Sequence, residues 1–425
     1  MTVNRFVLKE RTWVIMALLL MSGAVDQLVA TSTSVEERVT GDANFLLRAL
    51  AIPAYLFVGW VLLRFPGGAL RAMTRAGWVS LLVAAAFVSV TWSIEPAATI
   101  PRAALVAMTT LFGLSIATRF SREEFVSILA TTCCLMVVIQ LASVVLLYGL
   151  AVHHDIHFPA VRGLFLHKNI AGRNIVMGFI AALALFSLGR RRSAIVAMAV
   201  CTLGVLVTLS TSALAVLLSM GTVFLLIGFI RKQRALGISL AVTISAFIAL
   251  AVISGLAEQI AVAAIEGVGK DATLSTRTLI WERLVSEVIP AKFMLGYGYN
   301  AFWSSPEGAM SVWNPRYFVP AHAHNGLLQT WVSFGLVGVI VLVAGYLKTL
   351  AVKLRLTLNR RGRDGGFELM FLVFFLITNF SEVSVLTYSG IIWVVFVFVC
   401  ASRDEPTVAP FGDNPEPLKL APVRR

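Results

Sequence analysis

Long apolar runs separated by short polar turns set the pattern of this chain. Runs long enough to cross a bilayer as helices occur near 12–30, 45–63, 77–93, 101–118, 124–150, 171–188, 194–209, 211–230, 236–256, 325–346, 367–383 and 385–401. The pattern predicts an all-α polytopic membrane protein with about 12 transmembrane helices. Residues from about 257 to 323 break the rhythm and form the one large extramembrane loop. Inside it, Thr278 to Ile289 has helical spacing, with Leu279, Ile280, Leu284, Val285 and Val288 on one face and Glu282 and Glu287 on the other. That spacing predicts a short helix lying flat at the membrane interface, ended by Pro290. The chain therefore reads as a single transmembrane domain over 1–402, followed by a tail at 403–425 whose prolines and mixed charge predict disorder.

Composition agrees: 58% of residues are hydrophobic and 13% charged, with a mean hydropathy of +0.85. The net charge of +13 would suit a nucleic-acid binder if it were clustered, but it follows the turns instead. With a cytoplasmic N-terminus, the inside turns hold Arg64, Arg71 and Arg75; Arg119 and Arg122; Arg190, Arg191 and Arg192; Arg231, Lys232 and Arg234; and the basic stretch from Lys348 to Arg363. This is the positive-inside pattern, which puts both termini in the cytoplasm and the large loop on the periplasmic side. The first run, preceded by Arg5, Lys9 and Arg11, reads as a signal anchor. Cys133, Cys134, Cys201 and Cys400 all lie in apolar runs, which argues against disulfides and zinc ligation.

All six histidines fall on the outer face. His322, His324 and Asn325 stand where a long apolar run begins, so that the positive end of the helix would disfavour an imidazolium and leave His324 able to accept a proton. Asn325 is placed to orient a hydroxyl, and Gly335 and Gly338 would let a neighbouring helix approach closely. Arginines are disfavoured on a translocated face, so Arg102, Arg162, Arg173 and Arg277 each need a reason, as does Lys168 beside Asn169. Several guanidinium forks converging on one point suit a diphosphate. Glu95 and Glu382, at outer helix ends, are candidates for a second acid or base, and the loop aromatics Tyr297, Tyr299, Phe302 and Trp303 for a sugar platform or an interfacial belt. No metal-ligand spacing, nucleotide cradle or Ser/His/Asp triad is present, so no cofactor is expected.

His324 and Asn325, followed by Gly335 and Gly338, resemble the signature spacing of the O-antigen ligases. The phrase from Leu274 through Arg277 to Trp281, with Leu295 to Trp303 and Ala323 to Gly326, looks more like the exopolysaccharide polymerase branch of that superfamily. Trp92, Ser93, Glu95 and Pro96, and the stretch from Arg162 to Asn169, look like further superfamily signposts, so that the resemblance spans roughly residues 80–400. It implies a glycosyltransferase of the bacterial inner membrane that acts without metal or nucleotide on glycans carried by undecaprenyl diphosphate. The acceptor would be another lipid-linked repeat or a lipid A core, and a chain-length regulator is a candidate partner. On this resemblance His324 is the base on the acceptor hydroxyl and Arg277 binds the diphosphate, with Trp281 and His322 nearby. Ligases often carry an arginine after a serine near the junction of the seventh and eighth helices. Leu209 to Ala213 has no basic residue, which leaves Arg162, Lys168 or Arg173 as second phosphate contacts. A lipid-linked sugar flippase is the competing class, but transporters built as repeats bind substrate near the midplane, whereas the polar residues here gather at one face.

Overall fold

A computed structural model describes residues 2–29, 49–153, 159–233, 273–312, 322–359 and 366–403. The architecture is all-α: α1 (Thr2–Met21), α2 (Ile52–Arg64), α3 (Pro66–Arg75), α4 (Gly77–Val88), α5 (Pro96–Arg119), α6 (Arg122–Leu146), α7 (Lys168–Ser187), α8 (Arg191–Val207), α9 (Thr211–Lys232), α10 (Thr273–Arg283), α11 (Gly326–Asn359), α12 (Phe367–Ser381) and α13 (Ile391–Ala401). Among the described residues there is no strand, only an isolated bridge between Val152 and Val161.

Helices α5, α6, α7, α9 and α11 are long and apolar enough to cross a membrane, and α2 with α3 makes a sixth if the pair is one bent span. This is a multi-pass membrane protein. Each expected run within the described residues contains a helix, although α4, α12 and α13 are short. The expected run at 236–256, most of the tail, and the loop from 257 to 272 lie outside the described residues. One inside turn is not a loop: residues 66–75 form α3, turned 109° from α2. The cause is Pro66, which disfavours helical geometry at Phe65 (φ −135°, ψ 50°) yet suits the first position of the next helix.

Several charged helix ends are paired with one another. At one side, Arg119 at the end of α5 pairs with Glu10 at 3.1 Å, and Arg122 at the start of α6 pairs with Glu368 at 3.0 Å. Lys353 reaches Glu368 at 3.4 Å and Ser402 at 3.0 Å, while Arg75 donates to the carbonyl of Ala401 and Arg231 to that of Thr357. Buried charges at a bundle end are tolerated only when paired in this way. Between the two sides, an aromatic core around α12 and α13 buries Phe371, Phe374, Trp393 and Phe396. Trp393 satisfies its indole N–H on the hydroxyl of Thr110.

The loop region folds on a small core of its own. Ile280, Leu284, Val288 and Ile289 pack with Phe302, Trp303, Val312, Ala323 and Val332. The expected interfacial helix therefore differs from its pattern: Leu279 and Val285 are exposed, and a π-helical turn at Leu284–Val288 carries the chain past Arg283. Tyr299, Phe302 and Trp303 are buried, so they hold the loop together and offer no sugar platform.

The loop is fastened by a break in α11. Gly335 (φ 64°, ψ −163°) interrupts the helix, and the segment 293–298 fills the interruption. Tyr297 N donates to Val332 O (2.8 Å) and Gly298 N to Ser333 O (3.1 Å), while Leu336 N and Val337 N donate to Phe293 O (2.9 Å) and Met294 O (3.3 Å). A continuous helix would pair Leu336 with Val332 and Val337 with Ser333. Gly335 thus admits a loop backbone and not the neighbouring helix that its spacing suggested. A Cβ there would overlap the Met294 carbonyl, and the backbone angles belong to glycine. Gly335→Ala is expected to lower stability by more than about 2 kcal/mol, read as a drop in the thermal unfolding midpoint of the detergent-solubilised protein.

Candidate functional site

Four expected site residues meet around one that carried little weight in the sequence. Glu382 follows the last residue of α12, where the negative helix end disfavours an anion. Arg277 from α10 supplies the compensation through Nη2 to Oε1 at 2.8 Å. Arg173, on the first turns of α7, stands with Nη1 4.0 Å from Oε2, and His324 Nδ1 lies 3.5 Å from the same oxygen. The His322 ring stacks obliquely on that of His324 with centroids 4.1 Å apart, and its Nδ1 accepts from His324 N. Burial would raise the Glu382 carboxyl, but the hydrogen bond from His324 and the charges of Arg173, His324 and His322 hold it at about 2. It is a carboxylate with two guanidiniums on it.

Arg173 is the informative member. Its Nε and Nη1 are buried and meet no hydrogen-bond acceptor among the described residues. The long 4.0 Å approach to Glu382 leaves donor capacity unused, and buried donors without acceptors are rare in native proteins. His322, His324 and Glu382 also offer one ligand atom each within 4.8 Å of one another, a grouping that no sequence spacing announced. Two guanidiniums beside the only carboxylate of that group favour an anion there over a cation.

His324 is itself in the left-handed region (φ 49°), which costs a non-glycine residue about 1–3 kcal/mol. Its neighbours hold it there. Ala323 O accepts from the Trp281 indole at 2.8 Å, and Ala323 N donates to Gln329 Oε1 at 3.1 Å. Asn325 Oδ1 accepts from Leu327 N and Leu328 N, which makes it the N-cap of α11, and its Nδ2 donates to Phe380 O. Gly326 adds the close approach: a Cβ would overlap the Asn379 side chain, whose Oδ1 accepts from Ser384 N and Val385 N.

Other expected substrate contacts have structural partners. Arg102 is buried and donates to Asn300 O (2.9 Å), fixing the loop to α5. Arg162 donates to Leu150 O (2.9 Å) within its own turn. Asn169 Oδ1 accepts from Ser210, His167 Nδ1 accepts from Asn169 N, and His153 Nε2 accepts from the backbone amide of Lys168, a bond that does not engage the lysine side chain. His153 and His167 are thus helix-start partners, and Trp281 and Asn325 hold backbone. His154 and His157 lie outside the described residues. Glu382 and Gln329 are the residues that sequence reasoning undervalued. An acid at the outer end of an apolar run was the signal for the first; the second had none.

Residues 196–343 match the family model described as O-antigen ligase, a stretch that contains Arg277, Trp281, His322, His324 and Gly335. Comparison with curated proteins finds no match.

The site makes a pH-dependent contribution to stability. Burial first, then His324, Arg173 and Arg277, hold the His322 ring at about 3, below its ordinary 6.5. The unfolded chain takes up a proton that the folded chain refuses, so stability falls as pH drops from 6.5 towards 3. Glu382 acts lower: its contribution is complete above 4.5 and is lost as pH falls through about 2. Between pH ~7 and ~5 the His322 window is open, and it is opposed by Asp26, whose carboxyl burial raises to about 6; the unfolding midpoint is therefore expected to fall more steeply over that range in the wild type than in His322→Gln. An unchanged slope in the variant counts against a buried neutral ring.

Proposed function

We propose, on the premise that the chain belongs to the O-antigen ligase/polymerase superfamily, that it is an inner-membrane glycosyltransferase working at its periplasmic face. The observation that carries the reading is the cluster in which Arg173 and Arg277 bracket Glu382 beside His324. The donor is a glycan on undecaprenyl diphosphate. An acceptor hydroxyl attacks the anomeric carbon; the new C–O bond forms as the bond to the diphosphate breaks, and the lipid diphosphate departs with the electron pair. His324 takes the hydroxyl proton on Nε2, because Nδ1 faces the Glu382 carboxylate, which orients the ring and stabilises its protonated form. The guanidiniums meet the charge that grows on the leaving phosphate, and the unused donors of Arg173 suit its oxygens.

The reading we favour is polymerisation of lipid-linked repeat units into an exopolysaccharide, on the loop phrases around Arg277 and Tyr297. The matching family model is described as O-antigen ligase, and the alternative reading is transfer of a finished glycan to a lipid A core. Both use the same leaving group and differ in acceptor. Reconstitution with a lipid-linked repeat, with and without a lipid A acceptor, separates them: a ladder of products without the acceptor supports polymerisation, and transfer only in its presence supports ligation. His324→Ala is expected to cut turnover by about 10²–10⁴-fold at normal membrane levels; a wild-type rate removes the base assignment. Arg277→Lys is expected to lose roughly 100-fold, because a point charge cannot replace the fork; near-normal turnover removes its diphosphate role.

A further inference from the structure

The proton-accepting role given to His324 requires its ring to stay against Glu382 while its backbone sits in a conformation that histidine seldom holds. Side chains outside the charged cluster supply the restraint. The peptide groups on either side of the Ala323 Cα are gripped: Gln329 Oε1 accepts from the N–H, and the Trp281 indole donates to the carbonyl that begins the peptide into His324. Ala323 is fully buried, so neither bond is exchanged with water. Gln329 is fixed in turn, because its Nε2 donates to Asn300 Oδ1 at 3.0 Å and the Asn300 carbonyl accepts from Arg102. The two grips come from two different elements. Trp281 belongs to α10, which also carries Arg277, and Gln329 lies on the first turns of α11, before the break at Gly335.

We propose that Gln329 and Trp281 are positioning residues for the reaction: together they lock the Ala323 peptides and hold His324 in its left-handed conformation, so that its ring is preset between Glu382 and the acceptor hydroxyl. The inference rests on the proposed glycosyl transfer. It separates these two residues from the arginines, which contact the donor, and gives Trp281 a backbone to hold in place of a substrate contact. It also accounts for the chain leading from Arg102 to the site: Arg102 to Asn300, Asn300 to Gln329, and Gln329 to Ala323. That path lets a buried arginine of α5 serve the site without touching substrate.

The test uses the full-length protein reconstituted in lipid, with Trp281→Phe, which keeps an aromatic ring and removes the indole donor, and Gln329→Met, which keeps the length and removes both the acceptor for Ala323 N and the donor to Asn300 Oδ1. With a lipid-linked repeat as substrate, each variant is expected to lose about ten-fold or more in kcat while KM for the donor stays within about two-fold, because displacement of a reacting group acts on the chemical step. In parallel, hydrogen–deuterium exchange over residues 322–325 is expected to speed up in Gln329→Met, and exchange over the segment 293–298 to stay unchanged. A raised donor KM at preserved kcat in both variants overturns the proposal in favour of substrate contact. Unchanged exchange over 322–325 overturns it as well, and does so even if the wild type transfers no glycan. Inactive wild type with faster exchange in the variant leaves the lock standing and defeats the glycosyl-transfer reading alone.

Discussion

Backbone polar groups inside a membrane protein must find partners within the protein, and the seam at Gly335 is where that constraint shapes this fold. Breaking α11 releases two carbonyls and two amides at the depth of a helix, and the loop segment 293–298 answers all four. Because the segment is inserted into the helix, the loop is a fixed part of the bundle. Trp92 adds an indole bond to Leu295 O and Ile94 N one to Tyr297 O, so α4 and the turn after it are tied to the same segment. Everything that the loop contributes to the site, Arg277 and the Ala323–His324 peptide included, inherits its position from this seam.

The site is then an electrostatic compromise. A carboxylate at a helix C-terminus is unfavourable, two half-buried guanidiniums side by side are unfavourable, and each offsets the other. The offset is incomplete at Arg173, where burial without full hydrogen bonding leaves attraction for a further anion. Opposite sides of the bundle use charge differently. At the far side, Glu368, Lys353, Arg122 and Ser402 form a closed set in which Glu368 is bonded by all three others.

Much of this was legible in the chain. Apolar run length placed a helix in each expected run within the described residues, because burying the polar backbone demands one. His324 and Arg277 stood out by residue type on the wrong side for arginine, and the fold brings them together. What stayed hidden had a common cause: pairing across distant sequence. Glu382 is 105 residues from Arg277, and nothing local distinguishes it from Glu95. Gln329 looks like one more polar residue at a helix start until Ala323 is seen against it. Gly335 and Gly338 promised a close contact, but their spacing could not say that a loop backbone would make it. Arg102, Arg162 and Asn325 show a second use of such residues, since each donates to a main-chain carbonyl, and polar side chains at helix ends are as useful for holding carbonyls as for holding ligands.

The seam at Gly335 also has a consequence for variation. All four of its bonds run from main chain to main chain, so they are indifferent to which side chains residues 293, 294, 297 and 298 carry, apart from the glycines and the bar on proline where an amide donates. Mechanical attachment and surface chemistry are thereby uncoupled. A loop fastened through its backbone can change the side chains that it presents while the groups around Glu382 stay in register; on the proposed glycosyl transfer, that is a physical route by which one membrane scaffold could serve many different glycans.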